Sequence, residues 1–452
     1  MAIQGLWPIT SLLVGIAATY AAGLPLSLGV AFSILVSLVT VRKMGYSFKQ
    51  QFQFGWAGVQ QTKPVLSILF LIGLLIPLLM VGGTIPALIY YGLSVVNVDY
   101  LLILSFLLAS AISSILGTSM GTLSTIGLPL IGIAHAAGVP LGMVAGALIS
   151  GAMVGERFSP ISSSRLLTMN TVELSGAKAA SRMNVAAMVA VIFTGCLFLM
   201  LDALRGNAGA TDMIATYQRL LKEQLDVSLP MLFPIAFLLL LFLFRLRAVT
   251  ALMGGIAVSA GSALMQPSVD LHSLLSAILD GYALHSGTAL DEMVHGKGIG
   301  AVLQILVLII FAGFLNGILN KANLVEPIIT RLMGKSASRS ALVGKTVLLS
   351  LVVVMIGCNQ TIPILLVGAT LLERYRAQPN GSWLLGRTLL DSALLMPVLV
   401  PWNGLAMVMA VTLGVSTVES LPYLLFPILL PILTILFTKH FVPMQKEAAS
   451  AA

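Results

Sequence analysis

Two acids in apolar surroundings, Glu156 and Asp391, are the residues of this sequence best placed to do chemistry. A carboxylate at the centre of a bilayer costs about 2.5–3.5 kcal/mol on insertion scales, so one kept there faces the protein interior and carries a proton or a cation. Each acid follows a stretch rich in small and hydroxyl residues. Residues 113–125 read SSILGTSMGTLST, and residues 357–363 read GCNQTIP. Each acid also lies in a second irregular segment, GERFSPISSSR at 155–165 and DSALLMPVLVPWNG at 391–404. Gly and Pro inside an apolar helix free backbone N–H and C=O groups, which hydrocarbon does not satisfy. Half-helix N-termini and unwound carbonyls then hold ions. Small residues also serve close helix packing, but two such segments in matching positions point to a passenger site.

The expected lining is Gly117, Thr118, Ser119 and Thr122 in the first break and Asn359, Gln360 and Thr361 in the second. Ser159, Ser162 and Ser163 are expected as neutral ligands, Trp402 and Asn403 as walls of the second half. Glu156 and Asp391 are expected to handle the coupling proton or cation, unless each only pairs with a nearby base such as Arg157 or Arg387. Arg157 and Arg165 are secondary candidates for an anionic group of a substrate.

The elements that position these residues must span a membrane. The chain is 58% hydrophobic and 9% charged, where soluble domains carry about 25% charged residues. Its 452 residues supply roughly ten to thirteen apolar spans at ~20 residues each. The expected fold is all-α, a polytopic membrane protein with inverted repeats, discontinuous helices and re-entrant hairpins. Residues 1–204 form a first half, the polar stretch 205–229 a linker, and 230–452 a second half. The loop at 42–63 holds Arg42, Lys43, Lys49 and Lys63 without an acid. Such loops stay cytoplasmic, which puts the N-terminus there too, in a bacterial cell membrane. Phe48, Phe52 and Trp56 at helical spacing make this loop an amphipathic connector. No removable signal peptide is read at the N-terminus.

The broken segments resemble the NhaC family of sodium/proton antiporters. Gly82-Gly83-Thr84-Ile85-Pro86 followed by Tyr90-Tyr91-Gly92 is similar to its GGT-P…YYG stretch. Residues 117–122, GTSMGT, resemble its GTSWGT motif, and residues 155–162 its GD-x-x-SP-x-S motif. Arg387 to Asp391 and Pro401-Trp402-Asn403 resemble SR-x-LED and IPWN. The likeness implies paired inverted repeats and cation- or proton-coupled exchange; some members exchange organic acids, such as malate against lactate. Against the family pattern, Glu156 and Ser163 stand where Asp is usual, and Asn359 and Gln360 where an acid is frequent. With Arg165 added, that weakens pure sodium/proton exchange and favours a proton-coupled exchanger or one that carries an organic anion or amino acid; the expectation is protons (or Na+) exchanged against a cation or small organic solute, with an organic-acid or amino-acid exchanger as the alternative.

Other classes fit less well. Residues 117–121 match GxSxG, as an intramembrane serine hydrolase built on Ser119 requires, but the elbow needs a strand-to-helix turn. No GxxxxGK[ST] loop supports an ATP-driven pump. The two cysteines, Cys196 and Cys358, are far apart and read as reduced thiols. No cofactor, structural metal or nucleic-acid partner is expected. The partners are H+ and/or Na+, a small-molecule substrate and the lipid bilayer, with homo-oligomerisation open. Histidines 272, 285 and 295 read as solvated loop residues.

Overall fold

The computed structural model describes residues 2–174, 183–205, 210–225, 227–266, 269–284, 291, 295–325, 327, 331–332, 334, 338–357 and 359–438. Cys358, His285 and the C-terminal tail lie outside them. In hydrocarbon a backbone must pair with itself, which a helix does within one segment. The apolar runs are accordingly helices: α1 Ala2–Ala21, α2 Leu26–Lys43, α3 Phe48–Val81, α4 Thr84–Val95, α5 Leu101–Leu116, α6 Ser119–Thr122, α7 Leu128–Ala136, α8 Leu141–Phe158, α9 Ser163–Thr171 and α10 Asn184–Arg205. After α11 Ala210–Leu225 come α12 Phe233–Leu243, α13 Ala248–Leu264, α14 Leu271–Asp280, α15 Ile299–Lys321, α16 Arg339–Ile356, α17 Thr361–Arg376, α18 Gly381–Asp391, α19 Gly404–Leu413 and α20 Leu425–Leu436. Among the described residues seven helices are long and apolar enough to cross a membrane, or up to ten if each bent pair is one span. The chain is an all-α, multi-pass integral membrane protein. A short ribbon, β1 Gly281–Ala283 paired antiparallel with β2 His295–Lys297, is the one sheet among the described residues.

The basic loop and the span after it, expected as separate elements, form one 34-residue helix, α3. Ser47 starts it with a capping box to Gln50, and the helix runs on through Pro64 and Pro77 to Val81. Phe48, Phe52 and Trp56 are exposed on its outer turns. The helix ends at Gly82-Gly83, where Gly83 has φ +69°, a conformation that favours glycine. The polar midpoint stretch also contains a helix, α11, which buries Tyr217 and Leu221.

α3 and α15 cross on glycines, antiparallel. A Cβ on Gly58 would lie 2.1 Å from the Gly313 carbonyl oxygen, and one on Gly73 would meet Val302. Small residues at membrane-helix crossings let backbones meet. Gly58→Ala is therefore expected to lower stability by about 1–3 kcal/mol, the range for an overpacked core, seen as a lower apparent Tm in detergent.

The site is carried by two three-legged units. In the first, α8 runs parallel to α5: Gly151 abuts the Phe106 carbonyl and Gly155 abuts Ser113. The tight turn at 137–140 joins α7 to the start of α8, so α6 and α7 return antiparallel to both. The tip of this hairpin is Gly117-Thr118. In the second unit, Thr346 of α16 hydrogen-bonds Tyr375 of α17 at 2.8 Å, and Ser350 accepts from Ser392 just beyond α18 at 3.2 Å. α17 thus returns along α16, and α18 runs parallel to α16. Its tip is the break between the end of α16 and the start of α17. Asp202 of α10 steadies the first unit by accepting from the N–H groups of Leu102 (3.1 Å) and Ile103 (3.0 Å), two orphan donors at the start of α5.

Candidate ion-binding site

The tips of the two units meet beside Glu156, on the last turn of α8. The first tip exists because Gly117 adopts φ +71° and ends α5. Thr118 is extended, and its hydroxyl caps α6 by accepting from Gly121 N–H. Thr122 donates back to the Thr118 carbonyl at 3.0 Å. Ser119 is buried and faces Glu156. The second tip is braced from behind. Asn403 donates to the Gly357 carbonyl at 3.0 Å and Trp402 Nε1 to the Met355 carbonyl at 2.8 Å. These are carbonyls that the end of α16 leaves unpaired. Asn359 caps α17 through Ile362 N–H at 2.9 Å. The expected walls are thus braces of the break.

Glu156 is 6% exposed. Its Oε1 lies 2.8 Å from Ser164 Oγ, which lies 2.6 Å from Gln360 Oε1. Gln360 Nε2 donates to the Leu394 carbonyl at 2.7 Å, which fixes the amide with its oxygen toward Ser164. Three oxygens therefore stand in a row, from Glu156 of the first unit to Gln360 at the tip of the second, and Ser164 brings one hydrogen for two acceptors. Glu156 Oε2 and the hydroxyl of Ser159 are buried without a hydrogen-bond partner among the described residues. A proton on Glu156 completes the row, and a hard cation among these oxygens completes it as well.

Asp391 has a different environment. Its Oδ1 accepts from Arg157 Nε at 2.8 Å, both side chains fully buried. Its Oδ2 accepts from Thr434 at 2.7 Å and lies 3.5 Å from Arg387 Nε. Arg157 also donates to Asn184 Oδ1 and to the Met183 carbonyl. Arg165 donates to the carbonyls of Arg157 and Phe158. The two arginines considered for a substrate anion are thus engaged with protein acceptors.

Of the expected ligands, Ser119, Glu156 and Gln360 come together, while Ser163 and Thr361 are exposed. Ser162 caps α9 through Arg165 N–H. Ser164 was not among the expected ligands. In the run SSSR nothing separates it from Ser163 except the phase of α9, which the preceding Pro160 break resets. Ser119 is the first residue of α6 and follows helix α5, so it is not on the strand-to-helix turn of a hydrolase elbow.

Broken helices that bring a buried acid and neutral oxygens from two units to one point define a membrane carrier. The chain belongs to the Na+/H+ antiporter family, whose model matches residues 169–440. It is 27% identical to the Na(+)/H(+) antiporter NhaC of Alkalihalophilus pseudofirmus, over 92% of each chain. It is 29% identical to the Na(+)/H(+) antiporter NhaC of Bacillus subtilis, over 85% of this chain and 87% of that protein. It is also 26% identical to the Malate-2H(+)/Na(+)-lactate antiporter of Bacillus subtilis, over 89% and 86%. The NhaC kinship read from the motifs stands, and the chain is a secondary antiporter.

Proposed function

We propose that this antiporter exchanges Na+ for H+, with Glu156 as the group that holds one or the other. The observation that carries this is the row Glu156–Ser164–Gln360, one hydrogen short and built from both units, with the Glu156 carboxylate buried. Ser119 and Ser159 complete the oxygen set. Asp391 holds the units together through Arg157 and acts on transport through that frame. The organic-acid alternative is less favoured, because Arg157 and Arg165 already have protein acceptors. We read the two units as inverted repeats in halves 1–204 and 230–452, with α11 in the linker between them.

The orientation follows from charge. The end of the molecule at the start of α3 carries Arg42, Lys43, Arg245, Arg247, Arg374 and Arg376. The opposite end, where α5 and α8 begin, carries Asp99, Asp270, Asp280 and Glu419 together with Arg205, which donates to the Val98 carbonyl, so the basic excess lies at the start of α3. The basic end is cytoplasmic by the positive-inside rule, with the N-terminus, in a bacterial cell membrane.

Proteoliposomes with a preset pH difference test the function. Added Na+ is expected to collapse the difference, while K+, malate, lactate and arginine are not. Collapse by an organic solute but not by Na+ contradicts the proposal. Ser164→Ala is expected to raise KM for Na+ roughly tenfold, since one hydrogen bond to a charged group is worth about 1.5–3 kcal/mol.

A further inference from the structure

A cavity of about 450 Å³ lies between the α3–α15 pair and the outer ends of α7 and α19. It is on the acidic end of the molecule, beside the turn that joins α7 to α8. Most of its wall is apolar, but His135 lines it, and His135 Nδ1 is buried without a hydrogen-bond partner among the described residues. A buried polar atom of that kind marks a place for water.

Beneath the cavity is a second void of about 10 Å³, the least that admits one water. Ile76, Ile85 and Leu128 line both spaces. Below them three hydroxyl residues, Ser124, Thr125 and Thr412, stand in a wall that is otherwise apolar. Ser124 and Thr125 belong to a π-helical turn, Leu123–Gly127, a rare feature that is frequent at functional sites. Ser124 is five residues from Ser119, about 8 Å at 1.5 Å rise per residue, and Ser119 faces Glu156. From the outside inward the order is thus a roomy cavity, an apolar neck, hydroxyls, then the acid.

We propose that this cavity is the extracytoplasmic vestibule of the exchange pathway, and that Ile76, Ile85 and Leu128 form its gate. The inference rests on the assignment of Glu156 as the ion site. A neck of isoleucine and leucine too narrow for a file of water blocks ions by dewetting. The structure is then a state closed above the acid. Opening requires α7 to move against α3 and α4, the helices that supply Ile76 and Ile85.

The test uses single cysteines in a Cys196→Ser, Cys358→Ser background, with a membrane-impermeant cationic methanethiosulfonate applied from either face in the absence of Na+. Ala410→Cys, on the cavity wall, is expected to react from the extracytoplasmic face only. Ser124→Cys, below the neck, is expected to react from that face at least about tenfold more slowly, as dewetting at an apolar constriction requires. Leu128→Ala, and independently Ile85→Ala, is expected to remove that difference. Equal rates at the two positions without a gate variant overturn the proposal, as does reaction of Ala410→Cys from the cytoplasmic face only. So does a Ser124→Cys rate that neither alanine changes in protein that reaches the membrane in normal amount. Na+/H+ exchange is measured on the same vesicles. The expected labelling pattern in a chain that does not exchange Na+ leaves the vestibule standing and removes the ion assignment.

Discussion

Glu156→Gln is expected to lower Na+-driven proton exchange by about two orders of magnitude or more, a barrier increase of ~2.7 kcal/mol, while the protein still inserts and stays folded. Glutamine has nearly the shape of a protonated glutamate. Its amide can donate to Ser164 Oγ, now 2.8 Å from Glu156 Oε1, and Ser164 then donates to Gln360 Oε1 at 2.6 Å. The row is satisfied permanently, as if the proton never left. No charge remains to hold Na+, and no proton can be released. Glu156→Asp keeps the charge and shortens the reach, so it is expected to retain measurable exchange. Flux in proteoliposomes and apparent Tm in detergent, measured on the same preparations, check both parts.

Asp391→Asn is expected to act through stability. Asp391 is the carboxylate facing both Arg157 and Arg387, and all three side chains are at most 1% exposed. Removing one partner of a buried ion pair costs about 3–5 kcal/mol, because the remaining charge has lost its compensation. Here two guanidinium groups lose it together. The expected result is a large drop in apparent Tm and in yield, with exchange falling as folded protein falls. Arg157→Leu is expected to be milder, because Asp391 keeps Arg387 and Thr434. An Asp391→Asn protein of unchanged Tm that has lost exchange contradicts this division of roles and returns Asp391 to the coupling site.

Much of this is legible in the sequence. The breaks at Gly117 and Gly357 follow from glycine and hydroxyl residues in apolar runs, where an unpaired backbone needs a reason. The acids at 156 and 391 follow from the cost of charge in hydrocarbon. Their different partners were not legible. Arg157 meets Asp391 across 234 residues, and nothing local distinguishes that pairing from one within α18. The roles of Asn359, Trp402 and Asn403 were also hidden, since a polar side chain near a break serves a ligand or a freed carbonyl equally well. The continuity of α3 was missed because a basic, glutamine-rich turn and an apolar turn have the same backbone geometry, and composition alone divides them.

The most direct measurement is Na+ binding to the purified protein at a series of pH values, with proton release followed in parallel. If Glu156 holds either ion, Na+ affinity must weaken as pH falls and each Na+ bound must displace a proton. Glu156→Gln should bind neither measurably. Na+ binding that is indifferent to pH, or that persists with proton release in Glu156→Gln, would contradict the account.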